Sequence, residues 1–255
     1  MTAPACDPEL LERTVAATRT AAAIALAGFK AADLSVVDKT DGTPVTQFDR
    51  AVERSLREHI AAHHPGDAVL GEEEGADEGS TGRRWVLDPI DGTSPYSRGI
   101  VTWSTLVALE DEHGPLLGVV ACPWIDEVVW AGRGLGCSWD GRPAQASDRV
   151  QLRGAVLSTS GIEWWADGTM ARLHDAGVKV KTWGNGYGLS LGATGRVDAF
   201  FDAGVKPWDL GPAPILMAEA GGRFSALDGS TAIDRGSGLL SGSALHDELL
   251  ALLRG

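Results

Sequence analysis

The chain has 255 residues, of which 44% are hydrophobic, enough for a substantial core in one large domain or two closely packed ones. A net charge of −13 without a clustered basic segment argues against a nucleic-acid-binding surface, because such a surface has to neutralise phosphates. No apolar stretch is long enough to cross a bilayer, and the 3 cysteines are widely spaced, so we expect a cytoplasmic protein without a membrane partner.

Two helices are predicted at the start of the chain. Asp7 is placed as the cap of the first helix, which can run to about Lys30. The second helix follows Asp49, also placed as a cap, and carries an apolar side chain at every fourth position from Val52 to Ile60. A Pro-Gly pair then ends this helix.

Strand-like patterns begin after the second helix. Short apolar runs separated by polar links predict strands at 68–70, 85–87, 105–109, 117–120 and 127–130, with an Asp-Gly turn at 140–141. Further along, strands are predicted at 156–158 and 199–201, and short helices at 170–175, 188–191 and 215–220. We interpret this order as an α+β N-terminal domain (1–145) followed by an α/β C-terminal domain (146–255).

The segment from Trp85 to Thr93 (WVLDPIDGT) carries the strongest chemical signal. An apolar strand delivers two carboxylates, Asp88 and Asp91, and Gly92 then permits a tight turn. Hard cations such as Mg²⁺ prefer oxygen ligands, and backbone N–H groups after such a turn can point at an anion. A role in shaping a turn is the competing interpretation, and the other acidic segments argue against it.

Three further acids stand in short motifs of their own. Glu72 lies in a Gly-Glu-Glu strand end that, taken alone, is typical of a solvated loop. Asp49 and Asp209 each precede a predicted helix, and alone each is typical of a helix cap. The order of these motifs along the chain favours a shared functional role over three separate structural ones.

Taken in that order, the motifs resemble those of the inositol monophosphatase superfamily. That superfamily shows a G-E-E strand end, then D-P-[IL]-D-G-[ST], and later W-D before a helix that ends in E-A-G-G. Here the same series is Gly71-Glu72-Glu73, Asp88 to Thr93, Trp208-Asp209 and Glu219 to Gly222. The resemblance implies a layered αβαβα sandwich of the inositol monophosphatase/fructose-1,6-bisphosphatase type, and usually a homodimer.

The resemblance also implies the roles of individual residues. The ligands of two or three Mg²⁺ ions would be the side chains of Glu72, Asp88, Asp91 and Asp209 with the carbonyl of Ile90. Gly92 and Thr93 would hold the phosphate through backbone N–H groups, and Thr93, with Glu72 or Asp49, would orient and help deprotonate the attacking water. Such a site suits phosphoryl transfer, which needs charge neutralisation and an in-line nucleophile rather than a covalent intermediate.

Within the superfamily, the stretch from Thr93 to Leu106 is most similar to bacterial histidinol-phosphate phosphatases. Asp202 stands where the family places an acid that contacts the leaving alcohol, although a strand-end turn is an equal alternative for it. Asn185, also expected beside the substrate, replaces an acid of that subgroup, and Ser94-Pro95 replaces a Lys-Asn pair. These departures favour a different alcohol, such as an inositol, another cyclitol, a sugar or a nucleoside.

Two other interpretations compete with a phosphatase. A non-catalytic family member that binds or regulates is one, but all the implied ligands and Thr93 are present. The glycine-rich segment 132–136 suggests a nucleotide loop, but a helix is not predicted after it, so a hairpin fits better. The sequence therefore predicts a phosphoric monoester hydrolase.

Overall fold

A computed structural model describes residues 3–40 and 42–255 of the chain. Its helices are α1 (Pro8–Gly28), α2 (Gln47–His63), α3 (Thr93–Ser97), α4 (Thr169–Asp175), α5 (Gly186–Ala193), α6 (Pro207–Leu210), α7 (Ala213–Glu219) and α8 (His246–Arg254). Its strands are β1 (Val36–Asp38), β2 (Pro44–Thr46), β3 (Ala68–Gly71), β4 (Gly75–Asp77), β5 (Arg84–Asp91), β6 (Ser104–Asp111), β7 (Gly114–Cys122), β8 (Glu127–Gly132), β9 (Gly136–Trp139), β10 (Arg142–Ala144), β11 (Val156–Ser158), β12 (Lys179–Lys181), β13 (Ala199–Ala203), β14 (Gly222–Ser225) and β15 (Ser237–Gly242).

Helix α1 begins as predicted, whereas α2 has a different cap. The Asp7 carboxylate accepts the Glu9 N–H at 3.0 Å at the start of α1. At α2 the Thr46 hydroxyl accepts the Phe48 N–H at 3.1 Å, and the Asp49 carboxylate accepts the Thr46 N–H at 2.8 Å. Asp49 is therefore the third residue of the helix in a capping box, and the prediction that it is the cap is wrong.

The main sheet has eight strands in the order β10-β9-β8-β7-β6-β5-β3-β4. Strands β5 to β10 form an antiparallel meander, and β3 runs parallel to β5. Alternate side chains of its central strands enter two different cores. Leu87 and Val107 pack with α1 and α2, whereas Val86 and Ala108 pack with α5 and α7. Both faces are thus covered, which explains why these strands read as continuous apolar runs.

The second sheet has five strands in the order β12-β11-β13-β15-β14. One face packs through Phe200 and Leu240 on the α5–α7 layer, and the other packs through Leu157 and Leu239 on α4 and α8. The layers therefore run helices, sheet, helices, sheet, helices. This arrangement confirms the predicted α+β sandwich.

The predicted Asp-Gly turn and the predicted domain boundary both lie near the point where the chain passes from the main sheet to the second sheet. Asp140 and Gly141 both have positive φ, 48° and 80°, and join β9 to β10 in the predicted tight turn. The main sheet ends at Ala144 and the second begins with β11, close to residue 145. The division into two domains stays a prediction. Within residues 3–40 and 42–255, helices able to cross a bilayer are absent.

Candidate metal-binding active site

Three carboxylates meet where β5 ends. Asp88 and Asp91 come from β5 and Asp209 from α6, and one carboxylate oxygen of each lies within 4.8 Å of the other two. Side chains three residues apart on a regular strand point to opposite faces. Between Asp88 and Asp91, however, the pairing of β5 with β6 shifts by one residue, and such a bulge lets both side chains face the same side.

Asp88, Asp91 and Asp209 are together called the acid cluster. The cluster contains no basic group that would balance its negative charges. Asp88 is 1% exposed, and neither of its carboxylate oxygens has a hydrogen-bond partner among the described residues. A buried charge without a partner is costly, and a metal ion is a common remedy. The cluster therefore fits a divalent cation such as Mg²⁺, whose preferred ligands are oxygens.

Glu72 lies beside this cluster because of the sheet register. Gly71 on β3 pairs with Leu87 on the parallel strand β5, and the Glu72 N–H donates to the Leu87 carbonyl at 3.3 Å. The Glu72 carboxylate accepts a hydrogen bond from the Lys39 ammonium at 2.7 Å, and Glu73 accepts from the same ammonium at 2.6 Å. Lys39, which follows β1, was not anticipated from the sequence. Its ammonium is the cation nearest Glu72 in the described contacts.

The pKa values of these acids are raised. Burial raises the pKa of Asp88 and of Asp91 well above the usual range, and repulsion from neighbouring carboxylates adds to it. Burial also raises the pKa of Asp209. For Glu72, burial raises the pKa to about 7 although the bond to Lys39 acts in the opposite direction. Like charges held together in a low-dielectric site resist ionisation until a cation is bound.

Gly92 makes the turn between the acids and α3. Its φ is +93°, and a Cβ there would lie 2.8 Å from the Thr102 carbonyl oxygen, so only glycine fits. The turn places Thr93 at the start of α3, where its hydroxyl lies 3.0 Å from the Ile90 carbonyl oxygen. Ile90, Gly92 and Thr93 thus lie together with Asp91 around one turn. Their roles in binding metal and phosphate stay predictions.

Asp49 and Thr93 form a buried hydrogen bond. The Thr93 hydroxyl lies 2.9 Å from Asp49 Oδ1, and the other oxygen of Asp49 accepts from the N–H of Thr46. Asp49 is fully buried, and this burial raises the pKa of its carboxyl group. The structure therefore joins two predicted site residues that are far apart in the sequence.

A cavity of about 450 Å³ opens from Asp91 and Asp209. Asp202 lines it, but its oxygens accept hydrogen bonds from the Thr159 hydroxyl at 2.8 Å, from the Ser160 N–H at 2.7 Å and from the Ser160 hydroxyl. Burial raises the pKa of Asp202 to about 6. The predicted substrate-contacting acid is thus at the cavity wall, with its carboxylate already held by Thr159 and Ser160.

Asn185 lines the same cavity and bridges two loops. Its side-chain amide donates to the Thr102 carbonyl at 2.5 Å, and its backbone N–H donates to the Ser160 hydroxyl at 2.7 Å. The next residue, Gly186, donates its N–H to the Asp91 carboxylate. Asn185 therefore lies beside the acid cluster, and its side chain fixes the loop whose Gly186 N–H holds Asp91. Its contact with substrate stays a prediction.

Part of the cavity lining comes from the segment between β11 and α4, in which no functional residue was predicted from the sequence. Glu163 and Trp164 line the cavity there, and the Trp164 side chain is 74% exposed. Motifs do not mark this segment. An available signal was the pair of adjacent tryptophans within a polar stretch, since one of the two remains exposed.

Comparison with known proteins agrees with this site and fold. The model of the inositol monophosphatase family matches residues 7–255. A histidinol-phosphatase of Mycobacterium tuberculosis is 41% identical over 234 residues, which cover 88% of this chain and 90% of that protein. A histidinol-phosphatase of Streptomyces coelicolor is 36% identical, with 88% and 89% covered.

The solved structures give the same result. The structure of the Thermotoga maritima IMPase superposes with a TM-score of 0.86 at 25% identity, covering 96% of each chain. The relatives are named as phosphatases, so the predicted class, a phosphoric monoester hydrolase, is confirmed. The chain belongs to the inositol monophosphatase family.

Proposed function

We propose that this chain is a Mg²⁺-dependent phosphatase that hydrolyses a small phosphate monoester at the acid cluster. The observation that carries the proposal is the set of three carboxylates within 4.8 Å of one another, with both oxygens of buried Asp88 unpartnered among the described residues. Two or three bound Mg²⁺ ions would neutralise the phosphate, lower the pKa of a water molecule and stabilise the leaving oxygen.

The ligands of the ions would be the acid cluster, Glu72 and the carbonyl of Ile90. The Ile90 oxygen accepts from Thr93 but keeps a second lone pair. Glu72 is bound to the Lys39 ammonium, so a positive charge already lies where a cation is needed. Each proposed ligand is thus an oxygen with remaining capacity to bind.

Thr93 and Asp49 would orient the attacking water. The Thr93 hydroxyl has one proton and directs it toward Asp49 or Ile90, so its oxygen lone pairs remain available to accept from water. The raised pKa of Asp49 suits a group that takes up a proton through Thr93. The backbone N–H groups of Gly92 and Thr93 would hold the phosphate.

Histidinol phosphate is the substrate that we favour. Glu163 lines the cavity and is the lining acid that is neither a proposed metal ligand nor held by neighbouring groups, and none of the described lining residues is basic. Exposed Trp164 adds an aromatic face, which attracts cations. Such a wall suits an alcohol that carries a positive charge, and two of the relatives are histidinol-phosphatases by name.

A phosphate of a neutral alcohol, such as an inositol, another cyclitol, a sugar or a nucleoside, is the second candidate. Asp202 is fully engaged with Thr159 and Ser160, and Asn185 is neutral, which removes two possible partners for an amine. The binding of an uncharged polyol does not need an acidic partner, so this arrangement weakens it less than it weakens the binding of an amine. Both candidates use the same metal-binding residues.

We also propose that the protein works as a cytoplasmic homodimer. Its three cysteines are free thiols, which suits a reducing compartment. Large apolar side chains are exposed in the loops joined at Asn185, namely Ile100, Val101 and Trp183, and such exposure is common at subunit contacts. Light scattering measures the oligomeric state directly.

The test of function is phosphate release from a substrate panel, with Mg²⁺ and with EDTA. The panel contains histidinol phosphate, inositol 1-phosphate, sugar phosphates and nucleoside monophosphates. We expect turnover in Mg²⁺ only, highest for histidinol phosphate. Preference for the phosphate of an uncharged alcohol would change the substrate that we assign but not the mechanism. Equal turnover in EDTA would refute the metal-dependent mechanism.

A further inference from the structure

Helix α2 presents three charged side chains at four-residue spacing: Asp49, Glu53 and Arg57. Residues four apart lie on the same face of a helix, one turn above another. Asp49 accepts a hydrogen bond from the Thr93 hydroxyl. Glu53 is fully buried although it carries a carboxylate, and the mechanism proposed so far does not use it.

The Glu53 carboxylate holds the loop that carries Glu72. Its Oε2 accepts the Glu73 N–H at 2.7 Å, and its Oε1 accepts the Glu74 N–H at 3.0 Å. Arg57 completes the set, because its Nε donates to Glu53 Oε1 at 2.8 Å. A buried carboxylate is tolerated when it is paired and its oxygens are satisfied, and Glu53 meets both conditions.

Arg57 extends the contact to the far end of the same loop. Its guanidinium donates to the Gly75 carbonyl at 2.6 Å and to the Asp77 carboxylate at 2.7 Å. On the near side, a Cβ on Gly71 would lie 2.1 Å from Glu53 Oε1, so the approach of the carboxylate requires glycine there. The hydrogen bonds of Glu53 and Arg57 therefore hold the loop directly after Glu72, and Gly71 before it lets Glu53 approach.

Glu72 itself depends on these neighbours for its direction. The Glu72 N–H donates to the Leu87 carbonyl, which fixes the backbone. The Glu72 carboxylate is bound by the Lys39 ammonium, which ends a flexible side chain and fixes a direction less firmly than an arginine guanidinium would. We propose that Glu53 and Arg57, here called the α2 clamp, are positioning residues that aim the Glu72 carboxylate at the metal site. This inference rests on the proposed function, in which Glu72 is a metal ligand.

The substitution Glu53→Gln tests the clamp. An amide has one acceptor atom, so it cannot accept from both loop N–H groups through separate oxygens, and it loses the ion pair with Arg57. We expect the affinity for Mn²⁺ and for Mg²⁺, measured by titration calorimetry, to fall about 10–100-fold. The KM for Mg²⁺ should rise in parallel, while kcat at saturating Mg²⁺ changes much less.

Two further variants make the result decisive. Glu58→Gln removes the same charge from an exposed position of α2 and should leave metal affinity unchanged. Gly71→Ala keeps every charge but crowds Glu53, and should reproduce the loss of affinity if Glu53→Gln does not fold. Wild-type metal affinity in folded Glu53→Gln and Gly71→Ala proteins would overturn the clamp. A wild-type protein with neither metal binding nor turnover would instead overturn the proposed function.

Discussion

The hydroxyl of Thr93 and the carboxylate of Asp49 are 2.9 Å apart, and they join the first residue of α3 to the third residue of α2. The same carboxylate closes the capping box of α2 with Thr46. One buried group thus serves both the start of a helix and the candidate active site. Because substituting Asp49 would disturb both, Thr93 is the cleaner position at which to test catalysis.

Replacing Thr93 with valine should remove catalysis while leaving metal binding largely intact. Valine keeps the shape of the side chain but cannot orient water or pass a proton to Asp49. We expect kcat to fall about 100-fold or more, the usual range for losing proton-transfer assistance. Steady-state phosphate release and Mg²⁺ titration measure the two effects separately. The control is Thr20→Val at an exposed position of α1, and an unchanged kcat in Thr93→Val would rule out the proposed role.

Asp91→Asn should abolish activity and stabilise the metal-free protein. The variant removes one ligand charge, and its amide oxygen can still accept from the Gly186 N–H. Loss of a crowded charge relieves the repulsion that raises the pKa values of the cluster, so the melting temperature in EDTA should rise. Turnover should drop by at least about 100-fold, as expected when a metal-ion site is lost. Exposed Asp167→Asn is the control, and near-normal turnover by Asp91→Asn would refute the metal assignment.

The layered fold was predictable because its signals are local or carried by specific motifs. Apolar runs between polar links predicted β5 to β8, and the DPIDGT motif predicted the tight turn at Gly92 that follows β5. The cap of α2 was misassigned, since both Thr46 and Asp49 are good capping residues and only the geometry shows that Asp49 reaches back to Thr46.

The supporting residues of the site were not predictable in the same way. Lys39 reaches Glu72 across 33 residues, and the contact between Glu53 and Glu73 spans 20. Single side chains of this kind have no motif, because their partners depend on how α2 packs on the sheet and how the β1–β2 hairpin packs on α2 and α3. Glu53 had one usable sign: it is an acid beside the apolar stripe of α2, where a charge needs a partner.

Metal-free protein should lose stability as the pH rises from 6 to 8. The folded-state pKa of Glu72 is about 7, above its ordinary value of 4.5, so the folded protein binds more protons than the unfolded chain across this range. Stability then falls with increasing pH, by about 1 kcal/mol for this group alone. The histidines whose pKa values are lowered act in the opposite direction, mainly below about pH 6.5.

Bound Mg²⁺ should cancel or reverse that slope, because metal binding favours the ionised carboxylates and releases protons. Chemical unfolding at several pH values, in EDTA and in Mg²⁺, measures both curves. All other titratable groups are the same in EDTA and in Mg²⁺. The difference between the two slopes of unfolding free energy against pH is therefore caused by the metal site. Identical slopes with and without Mg²⁺ would show that the cluster does not bind the ion.

Substrate selectivity should depend on Glu163 and Trp164. Both line the cavity that Asp91 and Asp209 also line, and both are exposed, so each contributes modestly. We expect Glu163→Gln to lower kcat/KM for histidinol phosphate about 2–5-fold, the range of an exposed ion pair, and Trp164→Leu to have a similar effect through loss of a cation–π contact. The kcat/KM for glycerol 2-phosphate, whose alcohol part carries no charge, should stay unchanged in both variants.

Glu112→Gln, an exposed charge change on the β6–β7 turn, is the matched control for Glu163→Gln. Equal losses of kcat/KM for histidinol phosphate and for glycerol 2-phosphate would mean that Glu163 and Trp164 support the fold of the cavity rather than select the alcohol. Wild-type kcat/KM values for both substrates, in both variants, would show that Glu163 and Trp164 do not select the alcohol. The ratio is the informative quantity, because damage to the metal site lowers both rates together and leaves their quotient constant.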